Sequence, residues 1–89
     1  MGREATTEVR KDIVLEVSET DATEFTVSYW KVDAGATVRE GDELLVVESV
    51  DDKTAMTVIS RHTGTLVEIL AQEGVTVAPG DRLGRIDVE

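Results

Sequence analysis

The sequence predicts an all-β domain, a flattened barrel or sandwich of two four-stranded antiparallel sheets related by a pseudo-two-fold axis. Three observations support this fold class. The chain divides into short apolar runs bounded by turn residues, no stretch has a sustained helical period with caps, and one motif occurs twice. At 89 residues, the chain is long enough for one domain with a single core.

The first twelve residues are polar and aperiodic, so residues 1–12 are predicted to be a flexible tail and residues 13–89 the folded domain. Residues 66–74 (LVEILAQEG) are compatible with a strand and turn or with a single helical turn. The predicted strands cover residues 13–17, 24–32, 44–47, 55–59, 66–70, 75–77 and 83–88. The predicted core consists of Ile13, Leu15, Trp30, Val38, Leu44, Val47, Val58, Leu66, Ile69, Val77, Leu83 and Ile86.

The repeated motif, G-x-T-V-x-x-G-D-x-L, begins at Gly35 and again 39 residues later at Gly74. Two copies are too few for a solenoid, so the repeat favours one domain built from two similar halves. The motif glycines can adopt positive φ in tight turns. Asp42 and Asp81 are predicted to accept backbone N–H bonds inside those turns. Pro79-Gly80 suits the central pair of a type II turn.

The composition argues against several functions. The chain has 19 acidic and 9 basic residues, a net charge of −10 that disfavours nucleic acid and anionic membranes as partners. There is no cysteine, and His62 is the single histidine, so neither a metal site nor a catalytic constellation is expected. No apolar run has membrane-spanning length and no signal pattern is visible, so the expected location is cytoplasmic.

The segment that joins the two halves, residues 46–60, is predicted to form a hairpin with an acidic turn. Its tip contains Asp51, Asp52 and Lys53. Of the three lysines in the chain, only Lys53 lies at a predicted hairpin tip. From the residues alone, this lysine is either a modification site or a solvated side chain that balances two aspartates.

The pattern around this hairpin, over roughly residues 13–88, resembles the lipoyl domains of 2-oxo-acid dehydrogenase acyltransferases. It is less similar to biotinyl domains, which place methionine on both sides of the lysine, and to the glycine-cleavage carrier protein. The residues that carry the resemblance are Trp30-x-Val32, Gly35, Val38, Gly41-Asp42-x-Leu44, Val47-Glu48, Asp52-Lys53-Thr54-Ala55-Met56, Val58, Ser60, Gly64, Ile69, Gly74-x-x-Val77-x-x-Gly80-x-x-Leu83 and Ile86.

The resemblance implies that lipoic acid is attached covalently to Lys53, with Asp52, Asp51, Glu48 and Thr54 as its neighbours in the site. It also implies a carrier domain without an active site of its own, which presents a swinging arm for acyl transfer. The implied partners are a lipoate-attaching enzyme, a thiamine-diphosphate-dependent decarboxylase, an acyltransferase core and a flavin-dependent dihydrolipoyl dehydrogenase.

Two departures from the lipoyl pattern keep other functions open. Glu48 lies five residues before Lys53 rather than three, so Val50-Asp51 resembles an insertion that enlarges the turn and moves the lysine off its apex. Ser60-Arg61 replaces the usual Ser-Pro. The alternatives are an unmodified interaction module on the same fold and a biotinyl carrier.

Overall fold

The computed structural model describes residues 9–16 and 22–88, which form eight β-strands. Within this part of the chain, no helix has the length and apolar character needed to cross a membrane. The strands are β1 (Val9–Val14), β2 (Phe25–Trp30), β3 (Thr37–Val38), β4 (Glu43–Ser49), β5 (Ala55–Ile59), β6 (Gly64–Ile69), β7 (Thr76–Val77) and β8 (Arg82–Val88).

The strands form two four-stranded antiparallel sheets, as the sequence predicts. Sheet A has the order β1-β8-β6-β3 and sheet B the order β5-β4-β2-β7. In the segment that was also compatible with a helical turn, residues 66–69 belong to strand β6 and residues 70–74 form a non-helical connection. Strand β1 begins at Val9, so residues 9–12 of the predicted tail belong to sheet A. Residues 1–8 of that tail lie outside the described residues.

The internal repeat corresponds to a structural repeat in which each half completes the other. Strands β2, β3 and β4 recur 39 residues later as β6, β7 and β8. The Gly35 N–H donates to the Leu66 carbonyl at 2.6 Å, and its counterpart, the Gly74 N–H, donates to the Val27 carbonyl at 2.8 Å. Because these bonds cross between the halves, neither half contains a complete sheet.

The repeated turns have the predicted chemistry. A carboxylate oxygen of Asp42 accepts the Arg39 N–H, and one of Asp81 accepts the Ala78 N–H, each at 2.9 Å. Gly80 has φ of 94°, and the Asp81 N–H donates to the Ala78 carbonyl at 2.9 Å, as a type II turn requires. These turns are therefore structural.

The core lies between the two sheets. Nine of the twelve predicted core residues are buried, and the other three, Trp30, Val58 and Ile69, pack against the core while partly exposed. Phe25, Val27, Leu45 and Ala71 are buried core residues that the prediction omitted.

A β-bulge explains part of this difference. The pairing of β2 with β4 shifts register between Val27 and Tyr29. The shift turns Trp30 toward the core and leaves Tyr29 45% exposed, although strict alternation from Val27 would bury Tyr29. Strand β6 has a bulge at the equivalent place.

Trp30 also links distant parts of the chain. Its indole N–H donates to the carbonyl of buried Ala71 at 2.7 Å. We expect Trp30→Phe to reduce the free energy of unfolding by about 1–2 kcal/mol, because Phe leaves that carbonyl without a donor. Urea denaturation measures the change, and Tyr29→Phe on the exposed face serves as the control. Equal losses in both variants would contradict a role for this hydrogen bond.

Candidate functional site

The loop between β4 and β5 contains four of the five residues predicted for the site. The Ser49 N–H donates to the Thr54 carbonyl oxygen at 2.9 Å, so four residues, 50–53, connect the paired positions. All four side chains are exposed, and Lys53 is the last of them. The lysine therefore lies off the centre of a four-residue loop.

Hydrogen bonds within the loop hold its backbone in place. The Lys53 N–H donates to the Ser49 carbonyl at 2.9 Å, and the Thr54 N–H donates to Oδ1 of Asp52 at 3.1 Å. The buried Ser49 hydroxyl lies 3.5 Å from the Asp52 nitrogen, a long hydrogen bond. The residues on both sides of the lysine thus have fixed partners.

The sequence did not reveal two residues that position this loop. The Val50 N–H donates to the Glu24 carbonyl at 3.0 Å, which ties the loop to the segment before β2. Ser49 contributes its carbonyl, its N–H and its buried hydroxyl. Glu24 acts through its backbone, which leaves no sequence signal. A small polar residue at the end of an apolar strand was the available signal for Ser49.

Lys53 has an unusual backbone conformation. Its φ is 62°, the one positive φ at a non-glycine residue in the described part of the chain. The left-handed region costs an L-residue about 1–2 kcal/mol because the Cβ approaches the carbonyl oxygen. A glycine would be the ordinary choice here, so the side chain at this position is not explained by loop stability.

We therefore expect Lys53→Gly to stabilise the domain by about 0.5–1 kcal/mol, after allowance for the greater entropy of glycine in the unfolded chain. Urea denaturation of the unmodified protein provides the measurement. Thr54→Gly is the matched control, since Thr54 has no positive φ, and it is expected to be neutral or destabilising. A loss of stability in Lys53→Gly would show that the lysine contributes packing that outweighs its backbone strain.

The electrostatics of the loop are acidic. Hydrogen bonds from the side chain and backbone of Thr54 lower the pKa of the Asp52 carboxyl, which is therefore ionised at neutral pH. Lys53 is the single cation in residues 40–60. Its amine forms no ion pair or hydrogen bond with the described residues.

Glu48, the fifth predicted site residue, lies on β4 rather than in the loop. It is half-buried and pairs with Thr26 on one side and with Ala55 on the other. Since Val47 next to it is a core residue, the Glu48 side chain lies on the outer face of sheet B. It is therefore beside the hairpin but does not form its tip.

Other residues do not make a competing site in the described ranges, 9–16 and 22–88. They contain no group of three or more potential metal-ligating side chains. His62 is half-buried, and its carbonyl accepts the Ser60 hydroxyl at 2.5 Å. Shallow cavities of about 150 Å³ beside His62 and 450 Å³ beside Trp30 are not lined by residues of the loop.

Comparison with known proteins agrees with this geometry. The biotin/lipoyl family, described as "Biotin-requiring enzyme", matches residues 14–86. The chain is also 36% identical over 67 residues to the lipoamide acyltransferase component of the branched-chain alpha-keto acid dehydrogenase complex of Bacillus subtilis. This alignment covers 75% of the present chain and 15% of the acyltransferase.

Among solved structures, the fold is similar to the lipoyl domain of the 2-oxoglutarate dehydrogenase complex from Azotobacter vinelandii. The TM-score is 0.63 at 28% identity, with 83% of this chain and 94% of that chain covered. The chain therefore corresponds in extent to a lipoyl domain and to a small part of an acyltransferase. The family match and the shared two-sheet fold together show that this chain belongs to the biotin/lipoyl-attachment domain family.

Proposed function

We propose that this chain is a lipoyl carrier domain, in which lipoic acid is joined through an amide to Nζ of Lys53. The observation that carries the proposal is the combination of an exposed side chain and a fixed backbone at this lysine. Its amine is exposed and has no partner among the described residues, while its backbone is hydrogen-bonded into the β4–β5 loop. A lysine with a strained backbone and no stabilising side-chain contact is expected where the amine itself is needed for function.

The geometry suits the presentation of a long arm. When bound, the lipoyl group supplies the dithiolane that carries acyl groups and electrons. The protein supplies a fixed attachment point, because Ser49 and Glu24 hold the loop to sheet B. A fixed base raises the effective concentration of the arm at each active site that it can reach.

Attachment needs an external enzyme. The ammonium group of Lys53 must lose one proton to become a nucleophile and a second as Nζ forms the amide bond to the carboxyl carbon of lipoic acid, while the activating group leaves that carbon. None of the described side chains contacts the amine to accept a proton. The lipoate-attaching enzyme therefore has to provide both the activated donor and the base.

Lipoic acid is favoured over biotin by the neighbours of the lysine. Asp52 and Thr54 flank Lys53, where biotinyl domains place methionines, and both relatives described above carry lipoamide or lipoyl in their names. Those names also refer to dehydrogenase complexes that act on keto acids. We propose a decarboxylase dependent on thiamine diphosphate, an acyltransferase core and a dihydrolipoyl dehydrogenase as the partners.

The test is intact mass and peptide mapping after incubation with ATP and either a lipoate ligase and lipoic acid or a biotin ligase and biotin. We expect a lipoyl-sized mass gain on the peptide that contains Lys53. A gain only in the biotin reaction would replace the proposed group. No gain with several ligases on a folded sample would favour the unmodified interaction module, with Val50-Asp51 as the cause.

A further inference from the structure

The outer face of sheet B carries an uncharged row of side chains next to the hairpin. Tyr29 pairs with Val46, and Val46 pairs with Thr57, so the three side chains share one face. Leu45 and Val47 on either side of Val46 belong to the core, which places this face outward. We call Tyr29, Val46 and Thr57 the outer row.

Sheet A has a different row at the equivalent positions. Glu68 and Arg85 correspond to Tyr29 and Val46 at the 39-residue offset, and Asp12 pairs with Arg85 as Thr57 pairs with Val46. Arg85 forms ion pairs with Asp12 at 3.4 Å and with Glu68 at 3.5 Å. We call Asp12, Arg85 and Glu68 the charged row.

The contrast shows that the fold does not require an apolar row here. The same backbone arrangement accommodates three charged side chains in sheet A. In sheet B, however, Tyr29 is 45% exposed and Ile59, near the row on edge strand β5, is 51% exposed. An exposed aromatic beside aliphatic side chains is typical of a surface that contacts another protein.

The outer row lies close to the lysine. One row of side chains, Thr26, Glu48 and Ala55, separates it from the loop on the same face. Beyond that row are Asp51 and Asp52. The exposed surface is therefore uncharged at the row and acidic toward the lysine.

The charges favour one kind of occupant. In a complex of two copies of this chain, each with net charge −10, the acidic loop and Glu48 of one copy would face the same groups of the other copy and repel them. A partner with an apolar patch and a basic rim would complement both parts of the surface. Tyr29 is 45% exposed and Thr57 is exposed, whereas Val46 is only 9% exposed, so the row is too small for a permanent interface and suits a partner that must leave.

We propose that the outer row is a docking site for the enzyme that acylates Lys53, and that this enzyme presents an apolar patch with a basic rim. The inference rests on the proposed function. A lysine has a stem of only four carbons, so an active site that reaches Nζ must approach the body of the domain.

The test exchanges the two rows. Tyr29→Glu, Val46→Arg and Thr57→Asp together give sheet B the charged row that sheet A already tolerates. The control gives sheet A the outer row through Glu68→Tyr, Arg85→Val and Asp12→Thr. Initial rates of attachment are measured with a lipoate ligase, lipoic acid and ATP at varied domain concentration, after circular dichroism has verified folding.

We expect the sheet B variant to raise KM about tenfold or more, equivalent to about 1.4 kcal/mol of lost binding, with little change in kcat. The sheet A control should retain the wild-type KM. An unchanged KM in the folded sheet B variant would overturn the docking proposal while the carrier function stands. If the wild-type chain accepts no group, the carrier function itself fails.

A second measurement does not depend on turnover. A Lys53→Arg chain should act as a competitive inhibitor of attachment to the wild-type chain, because its outer row is intact. The same chain with the additional substitution Tyr29→Ser, at an exposed position where the fold should be preserved, should inhibit more weakly. Equal inhibition by both chains would place the contact elsewhere.

Discussion

Lys53→Arg is expected to abolish covalent modification of the chain completely. Arginine keeps the positive charge, but its guanidinium is not deprotonated at accessible pH and does not form the amide. Because Lys53 has no side-chain partner among the described residues, the substitution removes no contact there. The effect on attachment is therefore all or none, without a matching effect on folding.

Intact mass after the ligase reaction measures this effect. Lys31→Arg is the matched control, since Lys31 follows strand β2 of sheet B but forms an ion pair with Glu43. The control should gain the same mass as the wild-type chain. Modification that persists in Lys53→Arg would move the attachment site to Lys11 or Lys31 and remove the basis of the proposed function.

Gly64→Ala is expected to destabilise the domain by about 3 kcal/mol or more. Gly64 begins β6 and pairs with Val88 of β8. A Cβ at this residue would lie 2.1 Å from the carbonyl oxygen of Asp87 and 2.9 Å from its carbonyl carbon. Both atoms belong to the backbone of a central strand of sheet A, so the clash cannot be relieved by a rotamer change.

Gly74→Ala separates this clash from the loss of glycine flexibility. Gly74 has φ of 89°, and a Cβ added there would meet no atom within 4 Å, so its substitution is expected to lose only about 1–2 kcal/mol from backbone strain. Urea denaturation of both variants gives the comparison. A small domain is stable by only about 5 kcal/mol, so Gly64→Ala should leave about 2 kcal/mol or less of that stability at room temperature. Similar losses at both positions would contradict the clash.

The repeat made most of the fold predictable. The 39-residue offset and the turn motif identified two equivalent halves, and the structure pairs them as expected. Which side chains of each strand point into the core was harder to predict, because the bulges in β2 and β6 change the alternation of buried and exposed side chains partway along the strand. Phe25 lies before the bulge of β2, and Leu45 lies at a further register shift in β4, between Glu43 and Leu45; neither irregularity has a reliable sequence signal.

The site was predictable in residue type and not in conformation. The hairpin, its acidic turn and its lysine follow from the sequence, and the loop that contains the lysine has four residues between the paired positions. The left-handed backbone at Lys53 depends on which residue ends the loop, and the bond to the Glu24 carbonyl depends on a neighbour distant in sequence. Neither follows from local propensity.

Because β1 pairs with β8, the order of the strands along this chain can be circularly permuted. Val9 pairs with Val88, so the first and last described strands lie side by side. The 39-residue offset makes this strand pair the counterpart of the β4–β5 hairpin, since Glu48 corresponds to Asp87. A circular permutant that connects β8 to β1 and opens at the β4–β5 loop would keep both sheets intact. The β1–β8 strand pair and the β4–β5 hairpin are therefore equivalent positions in the topology.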